Sequence, residues 1–156
     1  VDVNKMLMLS QEALYRCLNH PEVFTVFFNR EKNRLVGRFY VGNRRDVTAD
    51  LFSINIHQTD SPVVKAINGK KSGRWLFGDD TLHLPEIKRT IFLKSAIFTP
   101  ILANDNPIGL YFVGRTTDEP FSSREMAWME QIVEYLGKSF ESIKKAPEYI
   151  PETKKQ

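Results

Sequence analysis

The fold is decided by "KSAIFTPILANDNPIGLYFVGR", residues 94–115, and by "TTDEPFSSREMAWMEQIVEYLGKSF", which follows it without a break to residue 140. Two apolar runs, 94–102 and 108–115, flank the turn formers Asn104, Asp105, Asn106 and Pro107, so they read as the arms of a hairpin closed by those four residues. Proline is tolerated there because the first residue of a strand need not donate a ladder hydrogen bond. Gly109 then gives up a side chain, which implies either a bulge or a close approach to the backbone, by packing or by a ligand cavity. Downstream, Ser122 and Glu125 have the spacing of a capping box. The helix they open carries Met129, Ile132, Val133, Leu136, Phe140 and Ile143 as one buried stripe.

Working outward, Val3, Met6, Leu7, Ala13, Leu14, Cys17 and Leu18 repeat with helical spacing, and His20-Pro21 ends that helix near Asn19. "VFTVFFN" (23–29) and "RLVGRFYVG" (34–42) are strands joined by the tight connection "REKN". "LFSINIH" (51–57) alternates Phe52, Ile54 and Ile56 with polar residues, an edge strand that completes a three-stranded meander. Asp60 or Ser61 caps a short helix with Pro62 in its first turn and Gly69 as its stop. "RWLF" (74–77) is a short strand, and 78–93 combines turn residues with a helix after Pro85. Residues 23–29 and 94–102 are apolar on both alternating sets, as in a sheet covered on both faces. The class is α+β.

With 156 residues, 42% of them apolar and 26% charged, the chain reads as one soluble globular domain, and no apolar run approaches the ~18 residues that span a bilayer. Residues 1–146 form the expected domain and 147–156 a tail or linker. A start at Val1 with helical pattern suggests a module of a longer chain. Net charge is +3, and the basic residues are interleaved with acids, a solvated surface rather than a nucleic-acid footprint. The lone Cys17 excludes an internal disulfide, points to the cytoplasm, and sits on the apolar face of the first helix as a core thiol. His20, His57 and His83 lack metal-ligand spacing. Neither a phosphate loop nor a Ser-His-Asp order or carboxylate pair is present, so no catalytic constellation, metal or cofactor is expected.

The C-terminal half, with its "KSAIFTPIL" strand, polar turn, Pro-Ile-Gly strand and Phe-Ser-x-x-Glu helix start, resembles a GAF domain, and "LVGRFYVGN" is similar to the second strand of that family. More loosely, "HPEVFTVFFNREKNRLVGRFYVGN" resembles GAF modules that accompany HDOD-type domains in bacterial signalling proteins. The resemblance implies a six-stranded antiparallel sheet, with both terminal helices on one face and a helical or irregular crossover roofing a small-molecule pocket on the other. It also narrows the activity. GAF-type free-methionine-sulfoxide reductases need several cysteines to form and resolve a disulfide, and bilin-binding GAF domains attach their chromophore through a cysteine that 58–93 lacks. "FGDD" (77–80) is only a fragment of the cyclic-nucleotide signature.

Two non-enzymatic readings follow. In one, a sensory domain binds a small molecule and relays the event through its terminal helices to a neighbouring signalling domain. In the other, aromatics fill the pocket and the domain only dimerises or scaffolds. Expected pocket residues are Arg38, Phe39, His57, Arg74, Trp75, Asp79, His83 and Lys94, bounded by 36–41, 74–77, 78–93 and 94–102. Three Arg or Lys against one Asp favour an anionic or carboxylate-bearing ligand. Met8, Leu9, Trp128 and Tyr135 lie beyond the core stripes, so either a wide stripe wraps a curved sheet or a homodimer forms with Trp128 and Tyr135 near its axis.

Overall fold

The computed structural model describes residues 2–142. The expected tail and Ile143 lie outside the described residues. Helix α1 (Val3–Cys17) leads into strands β1 (Glu22–Asn29), β2 (Arg34–Val41) and β3 (Ser53–Asn55). Helix α2 (Pro62–Gly69), β4 (Gly73–Leu76), α3 (Pro85–Ile91), β5 (Ser95–Ala103), β6 (Asn106–Arg115) and α4 (Ser123–Ser142) complete the chain. The six strands form one sheet in the order β3-β2-β1-β6-β5-β4, every neighbouring pair antiparallel. Two hairpins therefore meet at the β1–β6 pairing, and β3 and β4 are the edges.

Each face has its own core. Leu7 and Leu14 of α1, Leu18 at its C-cap, and Met129, Val133, Leu136 and Phe140 of α4 pack with Val23, Phe27, Ile97, Ile101 and Val113 on one face. Segment 47–93, with α2 and α3, covers the other. β1 and β5 are buried on both alternating sets, as their sequences require. The α4 start is a reciprocal cap: Ser122 Oγ accepts from Glu125 N–H at 3.1 Å, and Glu125 Oε1 accepts from Ser122 N–H at 2.8 Å. Ile132 is only half-buried, beside the stripe rather than in it.

Several boundaries differ from the sequence reading. Only Asn104 and Asp105 form the hairpin loop, both at positive φ (52° and 65°), the two-residue turn whose twist matches the flanking strands. Asn106 and Pro107 are already in β6. Both options at Gly109 are realised. The register slips between Ile101 and Leu102, with Ile108 as the extra residue, and a Cβ on Gly109 would run into the Val26 carbonyl oxygen of β1. Strand β3 is cut to three residues because Ala49–Leu51 coil into a 3-10 turn before it and Ile56 and His57 turn away after it. Gly69 is the last helical residue of α2, and Lys70, at φ 55°, takes the left-handed cap.

Cys17 is exposed, against the expectation of a core thiol. The buried seam of α1 runs Val3, Leu7, Gln11 and Leu14 and continues at Leu18, which leaves Ala13 and Cys17 on a solvent-facing flank.

Candidate functional site

At the centre of the crossover face, where a roofed pocket was expected, the register sets a transverse aromatic row. Tyr40 opposes Phe24, Phe24 opposes Phe112, Phe112 opposes Phe98, and Phe98 opposes Gly73. Ring centroids are 4.9 Å apart for Phe24–Tyr40, 6.3 Å for Phe24–Phe112 and 5.8 Å for the stacked pair Phe98–Phe112. Gly73 admits the Phe98 ring, whose edge occupies the place of a Cβ. Phe52 lies 5.2 Å from Phe112 and 5.9 Å from Phe24, and Trp75 is buried in the same cluster. Phe24, Phe52, Phe98 and Phe112 have no exposed surface. Offset and edge contacts of this kind fill space at the density of a protein interior.

The expected pocket residues are dispersed around this plug. Trp75 belongs to it and donates from Nε1 to the Asp79 carbonyl at 2.6 Å, so those two meet through backbone rather than carboxylate. The Asp79 carboxylate instead accepts from Thr81 N–H and Oγ, bonds that hold it below the usual carboxylate range. Phe39 packs on the terminal-helix side, because the slip between Thr25 and Val26 makes Arg38 the extra residue of β2 and turns Phe39 to that face. The Arg38 guanidinium stands 5.4 Å from the Phe39 ring. Arg74 is exposed, on the strand face opposite Trp75, and donates to the Phe121 carbonyl at 2.9 Å. Lys94 Nζ lies 4.8 Å from the ring of Phe77. His57 is exposed in the turn after β3. His83 Nε2 stands 2.9 Å from each Asp60 carboxylate oxygen, and that bond holds Asp60 below its ordinary value.

Open space on the crossover side lies away from the centre. A niche of about 200 Å3 under α2 is lined by Phe28, Leu35, Ile56, Val64, Ile67, Asn68, Pro107 and Gly109. It adjoins the bulge that Gly109 permits. A second, polar cleft of about 430 Å3 flanks β3 and includes Arg34 and His83.

On the other side, the outer flanks of the terminal helices converge. Leu9, Ser10 and Ala13 of α1 and Gln131, Ile132 and Tyr135 of α4 line a groove of about 360 Å3. Tyr135 is 75% exposed, Leu9 62%, Met8 55% and Trp128 39%. Arg124 stands 5.7 Å from the Trp128 ring.

The two sides are tied by the segment after β2. Asn43 accepts from Tyr15 Oη of α1 at 3.0 Å and donates from Nδ2 to the His20 carbonyl and Glu22 Oε2, both at 2.9 Å. Buried Glu22 also accepts from Tyr40 Oη, and burial together with that carboxylate pushes the Tyr40 phenol well above its ordinary value. Arg44 then donates to the Thr90 carbonyl at the end of α3 at 2.7 Å. The end of α1 is thus connected to the end of α3 by hydrogen bonds through one loop. Tyr40 near the end of β2 and the polar residues 43 and 44 after it were the available signal, but their partners are distant in sequence.

Among the described residues there is no cluster of three His, Cys, Asp or Glu side chains able to hold a metal ion, and no helix long and apolar enough to cross a membrane.

No family model and no curated protein matches this sequence. Solved structures do resemble it in fold. A GAF domain/HD domain protein from Geobacter sulfurreducens superposes with a TM-score of 0.72 at 18% identity, over 91% of this chain and 93% of that one. The blue-light-absorbing form of the PixJ GAF domain from Thermosynechococcus elongatus gives 0.75 at 12% identity, over 91% and 86%. A type II free methionine-R-sulfoxide reductase from Thermoplasma acidophilum gives 0.67 at 14% identity, over 86% and 89%. A GAF domain/HD domain protein, a light-absorbing domain and an enzyme thus share the arrangement, so the fold alone does not choose among their activities.

Proposed function

On the premise that this chain has the fold of a GAF domain, we propose that it is a non-catalytic regulatory module of a cytoplasmic signalling protein, working as a homodimer joined through α1 and α4. One observation carries this reading. Apolar side chains lie exposed on the outer flanks of both terminal helices and converge on a single groove, whereas the centre of the crossover face is filled by its own aromatic rings. A two-fold pairing of that groove would bury Leu9 and Tyr135 from each copy, with Trp128, seven residues before Tyr135 on the same flank of α4, at its border, and a shift of α1 or α4 would reach an attached domain. The GAF/HD protein among the similar structures gives the neighbour a precedent.

Sedimentation of the wild type and of Trp128→Glu tests the assembly. A wild type that dimerises at tens of micromolar concentration and a variant that is monomeric are expected, since a desolvated carboxylate in such an interface goes unpaired. A monomeric wild type, or a variant that dimerises equally well, overturns it. Small-molecule sensing is the second reading, favoured by the apolar niche under α2.

A further inference from the structure

The cleft around the free edge of β3 combines backbone and side-chain groups of opposite character. Gly37 N–H donates to the Phe52 carbonyl and Ile56 N–H to the Asn33 carbonyl, each at 2.9 Å, while Ile54 pairs with Leu35. Even-numbered residues therefore turn their backbone groups toward β2. Successive residues of an antiparallel strand turn opposite ways, so Ser53 presents its N–H and C=O, and Asn55 its N–H, outward along the cleft.

Arg34 enters from β2. Its Nε donates to Ser53 Oγ at 2.7 Å, which orients the guanidinium plane of a residue that lines the cleft. Two carboxylates stand on the same wall system: Asp50, with Oδ1 on the Thr48 hydroxyl, and Glu86, with Oε2 2.7 Å from Arg89. Each keeps its second oxygen available. His83 closes the crossover side, its ring held by Asp60 and its backbone at φ 61°. A simple anion would face two carboxylates here, and a simple cation would face Arg34. A molecule carrying both charges meets a partner for each.

We propose that this cleft binds a small zwitterion of the amino-acid or dipeptide class. The ligand carboxylate lies on the terminal amino groups of Arg34, as a planar guanidinium prefers. Its ammonium lies between Asp50 and Glu86, and an amide, where present, pairs with the outward N–H and C=O of Ser53. The site uses none of the terminal-helix flank and is separate from the aromatic plug. It supplies the regulatory reading above with an input, and it can fail while the dimer stands.

The test is titration of the isotopically labelled chain with the free proteinogenic amino acids and with alanylalanine, followed by amide resonances. At least one of these should produce saturable shifts at Ser53, Asn55 and His83 at concentrations up to about 10 mM, the range in which a few charge-assisted hydrogen bonds hold a small ligand. N-acetylation or C-amidation of that ligand should each weaken binding by about tenfold or more, as should Arg34→Gln and Asp50→Asn. An unchanged Trp75 indole resonance reports that a variant keeps its fold, because that N–H is bonded to the Asp79 carbonyl. Absence of saturable shifts with the whole set, or undiminished binding after capping either charge of the ligand, overturns the proposal. So does full affinity in the folded Arg34→Gln protein.

Discussion

The two faces of the sheet are covered in opposite ways. On the terminal-helix face, α1 and α4 lay continuous seams along the strands, and polar groups inside the contact find specific partners. Thr25 Oγ donates to Gln11, and Tyr111 Oη donates to the Leu7 carbonyl at 3.0 Å. Burial pushes the Tyr111 phenol above its usual value, which keeps it a neutral donor. On the crossover face the helices are short, and aromatic rings from five elements do the filling. Regular helices leave a second, outward flank for another body, whereas rings that close on one another leave space only at the margins. On the proposed readings, assembly uses the first face and a ligand the periphery of the second.

The contrast breaks most directly at Phe112, the ring that touches Phe24, Phe52 and Phe98. Phe112→Ala should cost ~3–5 kcal/mol of unfolding free energy in denaturant titration, the range for a fully buried phenylalanine. A loss below about 1 kcal/mol would mean that the crossover face is loosely filled and its centre open to a ligand. On the opposite face, a Cβ at Gly137 would run into the Leu102 carbonyl oxygen, so α4 lies against the backbone of β5. Alanine has the better helix propensity by ~1 kcal/mol, yet Gly137→Ala should destabilise by ~1–3 kcal/mol because backbone cannot move aside as a side chain can. A gain in stability would show that α4 rides higher on the sheet.

The smallest expected effect sharpens the same face through pH. Glu125 lies 2.7 Å from Arg115, and the two side chains are 19% and 12% exposed. Arg115 also donates to the Leu18 carbonyl at 3.2 Å, so the pair ties the end of α1 to the start of α4. Burial works against the charge, but the bonds from Arg115 and Ser122 outweigh it and hold the Glu125 carboxyl below its usual value. Its contribution is complete above the unfolded glutamate pKa of about 4.3 and is lost as pH falls through the lower folded value. The stability gap between wild type and Glu125→Gln should therefore narrow below about pH 4. A gap that is constant with pH would mean that the pair contributes by packing alone.

The capping box at Ser122, the helix stripes and the order of strands were legible because each depends on residues within a few positions of one another. The same local logic misled at Cys17, where seven apolar residues were assigned to one stripe although the seam selects Val3, Leu7, Leu14 and Leu18 and leaves the thiol outside. It misled again at Phe39, since a bulge at Arg38 reverses the face of everything after it and no pattern within β2 announces the extra residue. Of the expected pocket residues, Trp75 and Asp79 meet each other and His83 reaches a cleft. The others are separated because aromatic rings converge from strands distant in sequence.

By itself, the sequence determined which elements form and in what order, though not all their bounds, and the two-sided burial of β1 and β5, since these follow from propensity, capping and periodicity. Tertiary structure alone decided that Phe24, Phe98 and Phe112 stand in one row, that Arg34 and Asp50 share a cleft with Glu86, and that Asn43 joins α1 to the crossover. Those relations depend on strand register and on contacts across tens of residues. Register is set by bulges and edge geometry, which a single chain pattern does not encode.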